Sequence, residues 1–198
     1  ILGASGEEAV EDLINFDITP SVFTYEFAKA LSYEAERKEK VTKIHIKIDT
    51  GMSRIGFLAG EDNEEIVDEI IKISKLPYIE IEGIFSHFAT SDEYDKSYTL
   101  LQYGRFMDVC NRLEEKGLNI PIKHICNSAG IMMYPEMHLD MVRPGVILYG
   151  MYPSDEVDKS RLDLIPAMTL KSTITHIKEV EPGRGVSYGK EYITDKKT

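Results

Sequence analysis

Several short stretches place residues able to do chemistry at what read as strand ends. In "HIKIDTGMSRIGF", His45, Lys47 and Asp49 share one face of a strand whose other face is Ile44, Ile46 and Ile48, and Arg54 follows in the next turn. An ammonium among apolar neighbours is costly unless it is paired or discharged, so Lys47 either faces water or belongs to a polar site. "GIFSHFATSDE" ends at His87, with Thr90, Ser91 and Asp92 beyond. "HICNSAG" ends at Asn127 and Ser128, which are N-cap types in their own right, and a helix start also points free N–H groups at an anion such as phosphate. "MVRPGVILYG" sets Arg143 in an apolar run, followed by Gly145, where a ligand could approach the backbone.

Each signal has a plain structural alternative: a half-wet edge strand, a satisfied histidine, an ordinary cap. Taken together, Lys47/Arg54, His87, Asn127/Ser128 and Arg143/Gly145 on successive strand ends suggest a cofactor pocket with a cation-rich wall and a phosphate cradle.

The elements that must position these residues alternate. "ILGAS", "DITPSVFT", "TKIHIKIDT", "YIEIEGIFSHFAT", "NIPIKHICNS" and "LDMVRPGVILYG" read as strands. Between them, "GEEAVEDLINF", "YEFAKALSYEAERKEK" (Phe27, Leu31 and Ala35 on one side), "EDNEEIVDEIIKISKL" (Ile66, Ile70 and Ile73) and "SYTLLQYGRFMDVCNRLEEKG", ended by Gly117, have helical spacing, and "AGIMMYP" is a short helical piece. Strand–helix alternation predicts a parallel α/β sheet, either doubly wound or a (β/α)8 barrel, with the polar strand ends at its carboxyl face. No glycine-rich nucleotide motif follows a strand. After Gly150 the style changes: a charged linker leads into "AMTLKSTITHIKEVEPGRGVSYGKEYIT", which alternates as antiparallel strands do. The expected organisation is a barrel portion over residues 1–155 and the beginning of a β domain over 160–198.

The chain has 198 residues, 42% apolar, with a net charge of −11. An acidic chain argues against nucleic acid as a partner, and no apolar run is long enough to span a membrane. Cys110 and Cys126 suggest no disulfide framework, which makes a reducing cytoplasm the expected setting. No metal is called for.

The quoted motifs, with "VSYG" near the end, follow in the order and spacing of bacterial alanine racemases, and "K-x-D-T-G-M-x-R-x-G" is the most distinctive of them. The resemblance covers nearly the whole chain. It implies a partial (β/α)8 TIM barrel that starts a mostly β domain, pyridoxal 5′-phosphate as cofactor, and interconversion of L- and D-alanine by two-base proton transfer, supplying D-alanine for peptidoglycan. It implies a homodimer whose sites combine two subunits. Carried over by residue, it implies a carbamate on Lys47 that orients Arg54 toward the cofactor's phenolic oxygen. It sets His87 against the pyridine ring, Asn127 in the lining, and Ser128, Gly145 and Val146 at the phosphate. Arg143 faces the pyridine nitrogen, with His124 behind it. An arginine there keeps the ring nitrogen unprotonated and favours simple proton exchange over side reactions.

The family's cofactor-anchoring lysine and its catalytic tyrosine belong to motifs like "VKANAYGHG" and "GYADG", which do not occur here; Tyr188 of "VSYG" is not that tyrosine. The resemblance therefore implies an internal fragment that holds neither base, binds cofactor weakly or not at all, and racemises nothing alone. It further implies open sheet edges, with Ile44, Ile46 and Ile48 losing part of their cover. A related racemase acting on serine, and a non-catalytic pyridoxal-phosphate-binding barrel, are the alternatives.

Overall fold

The computed structural model describes residues 1–198 as two compact units, Ile1–Ala167 and Met168–Thr198. In the first, α1 (Val10–Asn15), β1 (Ser21–Val22), α2 (Tyr25–Arg37), β2 (Thr42–Asp49), β3 (Phe57–Leu58), α3 (Glu64–Ile73), β4 (Ile79–Phe85), α4 (Ser97–Glu115), β5 (Ile122–His124) and α5 (Ser128–Met133) follow one another. The strands pair in parallel in the order β1-β2-β4-β5, and β3 pairs with the carboxyl end of β2.

The helices form where the apolar spacing predicts. Thr24 caps α2 by accepting the Phe27 N–H, and Phe27, Leu31 and Ala35 are buried one turn apart. In α3 the buried stripe is Val67, Ile70 and Ile73, and Ile66 is only half-buried at its margin. Gly117 ends α4 with φ 86°, a conformation that costs glycine little. These stripes close over one face of the sheet. Ile44, Ile46, Ile48 and Ile84 are 0% exposed in one core cluster with Leu31, Val67, Ile70 and Phe106. The expectation that the β2 isoleucines lose cover is thus overturned: the helices bury them completely, at roughly 1.5–3 kcal/mol of stabilisation per side chain.

Two expected strands are absent. Residues 1–5 form no ladder; the Ile1 ammonium donates to the Thr19 carbonyl at 2.7 Å and the segment lies beside β1 without pairing. The stretch around Arg143 is not a strand either. Pro144 has no N–H to give, Gly145 leaves the β region at φ −119°, ψ −98°, and the chain turns into a 3-10 helix, Val146–Tyr149, stopped by Gly150 at φ 75°.

In the second unit the expected run of antiparallel strands reduces to one hairpin, β6 (Gly185–Val186) with β7 (Tyr192–Ile193). Thr194 pins it, its hydroxyl accepting the Arg184 N–H at 3.0 Å and donating to the Glu181 carbonyl at 2.8 Å. Residues 168–178 alternate like a strand but pair with nothing, and Leu170 is fully exposed. Alternation alone does not make a strand without a neighbour to complete its ladder.

Candidate active site

Because side chains alternate along β2, burying its isoleucines under the helices turns His45 and Lys47 to the other face. There they meet Phe85 from β4 and His124 from β5. Phe85 stacks flat on His124 with 4.8 Å between centroids, and its ring centroid lies 4.7 Å from Lys47 Nζ and 5.2 Å from the Arg143 guanidinium carbon. The ring is a shared wall for two cations, which its π face attracts. Lys47 is 3% exposed, and its Nζ forms no hydrogen bond or ion pair. Burial, helped by the positive charge of Arg143, pushes its ammonium down to about 7.

Arg143 is held by acceptors that carry no charge. Its Nη2 donates to the Ser86 carbonyl at 2.7 Å, the Ile125 carbonyl at 3.2 Å and His87 Nδ1 at 3.2 Å, and its Nη1 donates to His124 Nδ1. Burial lowers its pKa to about 10, which still leaves it a cation near neutral pH. The same burial, with Arg143 beside them, holds His87 down at about 4 and His124 at about 2, so both rings are neutral. A neutral ring that accepts at Nδ1 carries its proton on Nε2. The buried Nε of Arg143 has no partner at all.

Next to this cluster opens a cavity of ≈ 500 Å³ lined by His87, Asp92, Asn127, Ser128, Arg143, Gly145 and Val146, among others. Asn127 caps α5, its Oδ1 accepting from the Gly130 N–H and the Ser91 hydroxyl, both at 2.9 Å. The Gly145 N–H donates to Ser128 Oγ at 2.9 Å, and a Cβ added at Gly145 would meet nothing nearer than that oxygen at 3.6 Å. The Val146 N–H, at the start of its 3-10 turn, has no acceptor in the fold. A second cavity of ≈ 400 Å³ lies at the opposite strand ends, beside Thr42, Lys43 and Glu80, and holds none of these groups.

The structure therefore brings Lys47, His87, His124 and Arg143 together and sets Asn127, Ser128, Gly145 and Val146 around the neighbouring cavity. Arg54 stands apart: it is exposed on the loop after β2, pairs with no carboxylate and does not line the cavity, although its charge is felt at Lys47 and His87.

Asp49, on the polar face of β2, and two residues that the sequence does not mark, Gly56 and Gln102, organise this arrangement. The buried Asp49 carboxylate accepts the N–H groups of Gly51, Ser53 and Arg54 and so shapes the loop that carries Arg54. Gly56, at φ 130°, passes so close to Asp49 that a Cβ would lie 2.5 Å from its backbone nitrogen. Gln102 of α4, 0% exposed, donates to Thr50 Oγ1 at 3.2 Å and the His87 carbonyl at 3.1 Å and accepts the Ala89 N–H at 2.8 Å, tying the ends of β2 and β4 together. The signal for Asp49 was available: an aspartate at a strand end followed by "TG" is a turn former. Gln102 gave none, since one glutamine in a helix reads as a wet residue.

Residues 1–153 match the family profile for the alanine racemase N-terminal domain. The chain belongs to the alanine racemase family. Residues 167–198 match the profile for the alanine racemase C-terminal domain. An alanine racemase of Clostridium tetani is 52% identical over the whole chain, which covers 50% of that protein. The solved alanine racemase of Clostridium difficile 630 superposes with a TM-score of 0.87 at 50% identity, over 99% of this chain and 50% of its own. A histidine racemase from Leuconostoc mesenteroides also superposes, with a TM-score of 0.80 at 28% identity, over 100% of this chain and 52% of its own. The chain thus spans about half the length of the alanine racemases it matches, and its parallel sheet is part of the TIM barrel of that family. No helix is long and apolar enough to cross a membrane.

Proposed function

We propose that this chain carries the cofactor-holding barrel face of a pyridoxal 5′-phosphate-dependent alanine racemase. The observation that carries the reading is the convergence on one cavity of Arg143, whose buried Nε is unpartnered, with the open backbone at Gly145 and Val146. The donor set fits the cofactor. The Val146 N–H and the Ser128 hydroxyl would hold its phosphate, and Arg143 would face its ring nitrogen.

When bound, the cofactor supplies an electron sink that makes the α-carbon proton of an amino acid removable. This chain's residues set the conditions for that. Arg143 has only donors and stays a cation, so a nitrogen facing it is held as an acceptor, without a proton. His87 is neutral and its Nδ1 is occupied by Arg143, which fixes the ring that flanks the cavity. Lys47, converted to a carbamate, would place an anion between Arg143 and the loop that bears Arg54. The bases that move the proton, a lysine and a tyrosine in the family's motifs, are assigned to no residue here. Assembly as a homodimer and a cytoplasmic setting belong to the same proposal.

The test is D-alanine formation from L-alanine by the full-length gene product, followed by coupling to a D-amino-acid oxidase, with L-serine and L-histidine run in parallel. D-alanine formed faster than the other two products is expected. No D-alanine with added pyridoxal phosphate overturns the reading, and faster turnover of serine or histidine moves the substrate.

A further inference from the structure

Arg143 is a largely buried cation without a carboxylate partner, and what stands behind it is a line of side chains that ends on one. Arg143 Nη1 donates to His124 Nδ1; His124 Nε2 lies 2.9 Å from His45 Nδ1; His45 Nε2 lies 3.4 Å from Glu82 Oε2. The direction of every bond is forced. A guanidinium only donates, so His124 accepts at Nδ1 and, being neutral, bears its proton on Nε2. That proton goes to His45 Nδ1, and the proton of His45 then sits on Nε2. An ionised carboxylate only accepts, so Glu82 requires the same arrangement from the other end. Lys43, 2.6 Å from Glu82 Oε1, keeps the carboxylate charged.

The backbone is built to put Glu82 there. Ile44 pairs with Ile81, but His45 pairs with Gly83, so β4 carries one extra residue, Glu82, against β2. Without that bulge, strict alternation would send Glu82 to the side opposite Gly83 and Phe85. With it, Ile81 and Ile84 both match the isoleucine face of β2 while Glu82 reaches Lys43 and His45. Gly83 makes the room: a Cβ there would lie 2.4 Å from the His45 ring.

We propose that Glu82 and His45 are positioning residues for Arg143. The carboxylate, acting through two imidazoles of fixed tautomer, makes His124 an acceptor and so sets the orientation of the Arg143 guanidinium at the wall of the cavity. This rests on the proposed cofactor reading for the role of Arg143, but the relay itself can be tested without it.

The first measurement needs no cofactor. In the 198-residue chain labelled with ¹⁵N-histidine, the ring nitrogen shifts of His45 and His124 are expected to report Nε2–H tautomers for both. Glu82→Leu removes the terminal acceptor and is expected to mix the tautomers of His45; Glu82→Gln, whose carbonyl oxygen still accepts, is expected to keep them. A proton on Nδ1 of either ring in the unaltered chain overturns the relay, and so do unchanged His45 populations in a folded Glu82→Leu. If that variant does not fold, the unaltered chain and Glu82→Gln decide. The second measurement uses the full-length protein. Glu82→Leu is expected to lower kcat by about tenfold with KM little changed, and Glu82→Gln to restore most of it. An unaltered kcat in Glu82→Leu overturns the positioning role. Absence of racemisation in the unaltered protein overturns the cofactor reading and with it the role given to Arg143, while the nitrogen shifts still judge the relay.

Discussion

The Asp49 carboxylate accepts the backbone N–H of Arg54 at 3.0 Å, across a loop whose Gly51 and Ser53 N–H groups it also binds at 2.9 and 3.0 Å. A single buried side chain thus replaces the regular backbone pairing that the loop lacks, and it decides where Arg54 begins. Charge-assisted hydrogen bonds of this kind contribute roughly 1.5–3 kcal/mol each, though not additively. Asp49→Ala is therefore expected to lower unfolding free energy by about 3 kcal/mol, and Asp49→Asn by less, because one oxygen still accepts. Urea titration of the 198-residue chain measures both. A loss below about 0.5 kcal/mol in Asp49→Ala would mean that water replaces the carboxylate and that the loop is held by its other contacts.

Lys47 is expected to titrate near neutrality and to take up carbon dioxide. Its amine is freed of a proton as pH rises through about 7, the value to which burial and Arg143 push it. The neutral amine adds to carbon dioxide, forming the N–C bond of a carbamate and releasing a proton. The anion formed then lies near the charges of Arg143 and Arg54, which repel the ammonium it replaces. With ¹³C-bicarbonate, a carbamate resonance should grow between pH 6 and 8 and be missing in Lys47→Arg. Its persistence in that variant would place the modification elsewhere.

The chain showed its alternation plainly and its exceptions poorly. Ile44, Ile46 and Ile48 declare the helix-facing side of β2 by type and spacing, which fixes the side of His45 and Lys47 as well. Arg143 and its neighbours are chemically legible, but the stretch reads as a strand because apolar residues hide the effect of Pro144 and of the unusual backbone at Gly145. The bulge at Glu82 has a signal in "EIEGI", where Ile81 and Ile84 are three apart and an isolated glycine interrupts the strand, but the sequence does not show which side chain the extra residue sends to His45. Gln102 lies under the site because of where α4 docks, a matter of tertiary packing that no local pattern encodes.

Acid should unfold this chain through its buried histidines. In the fold, burial and the charge of Arg143 hold His124 at about 2 and His87 at about 4, whereas an unfolded histidine titrates near 6.5. Between those values the unfolded state binds protons that the fold refuses. Stability therefore rises with pH across that window and falls as pH drops below about 6.5; each histidine contributes up to roughly 1.4 kcal/mol per pH unit. The loss continues to about pH 4 for His87 and further for His124. Lys47 acts in a different range, between about 7 and its unfolded value of 10.5, and so leaves the acid limb to the histidines. Urea midpoints at pH 7, 6 and 5 should decline with an uptake of about two protons on unfolding at the acid end from His87 and His124, and part of a third from His45, which burial also holds down. In His124→Gln, one of those protons should disappear from the slope even though the variant is less stable at pH 7. An equal slope in His124→Gln would mean that His124 is already protonated in the fold, and its acceptor role toward Arg143 would fall with it.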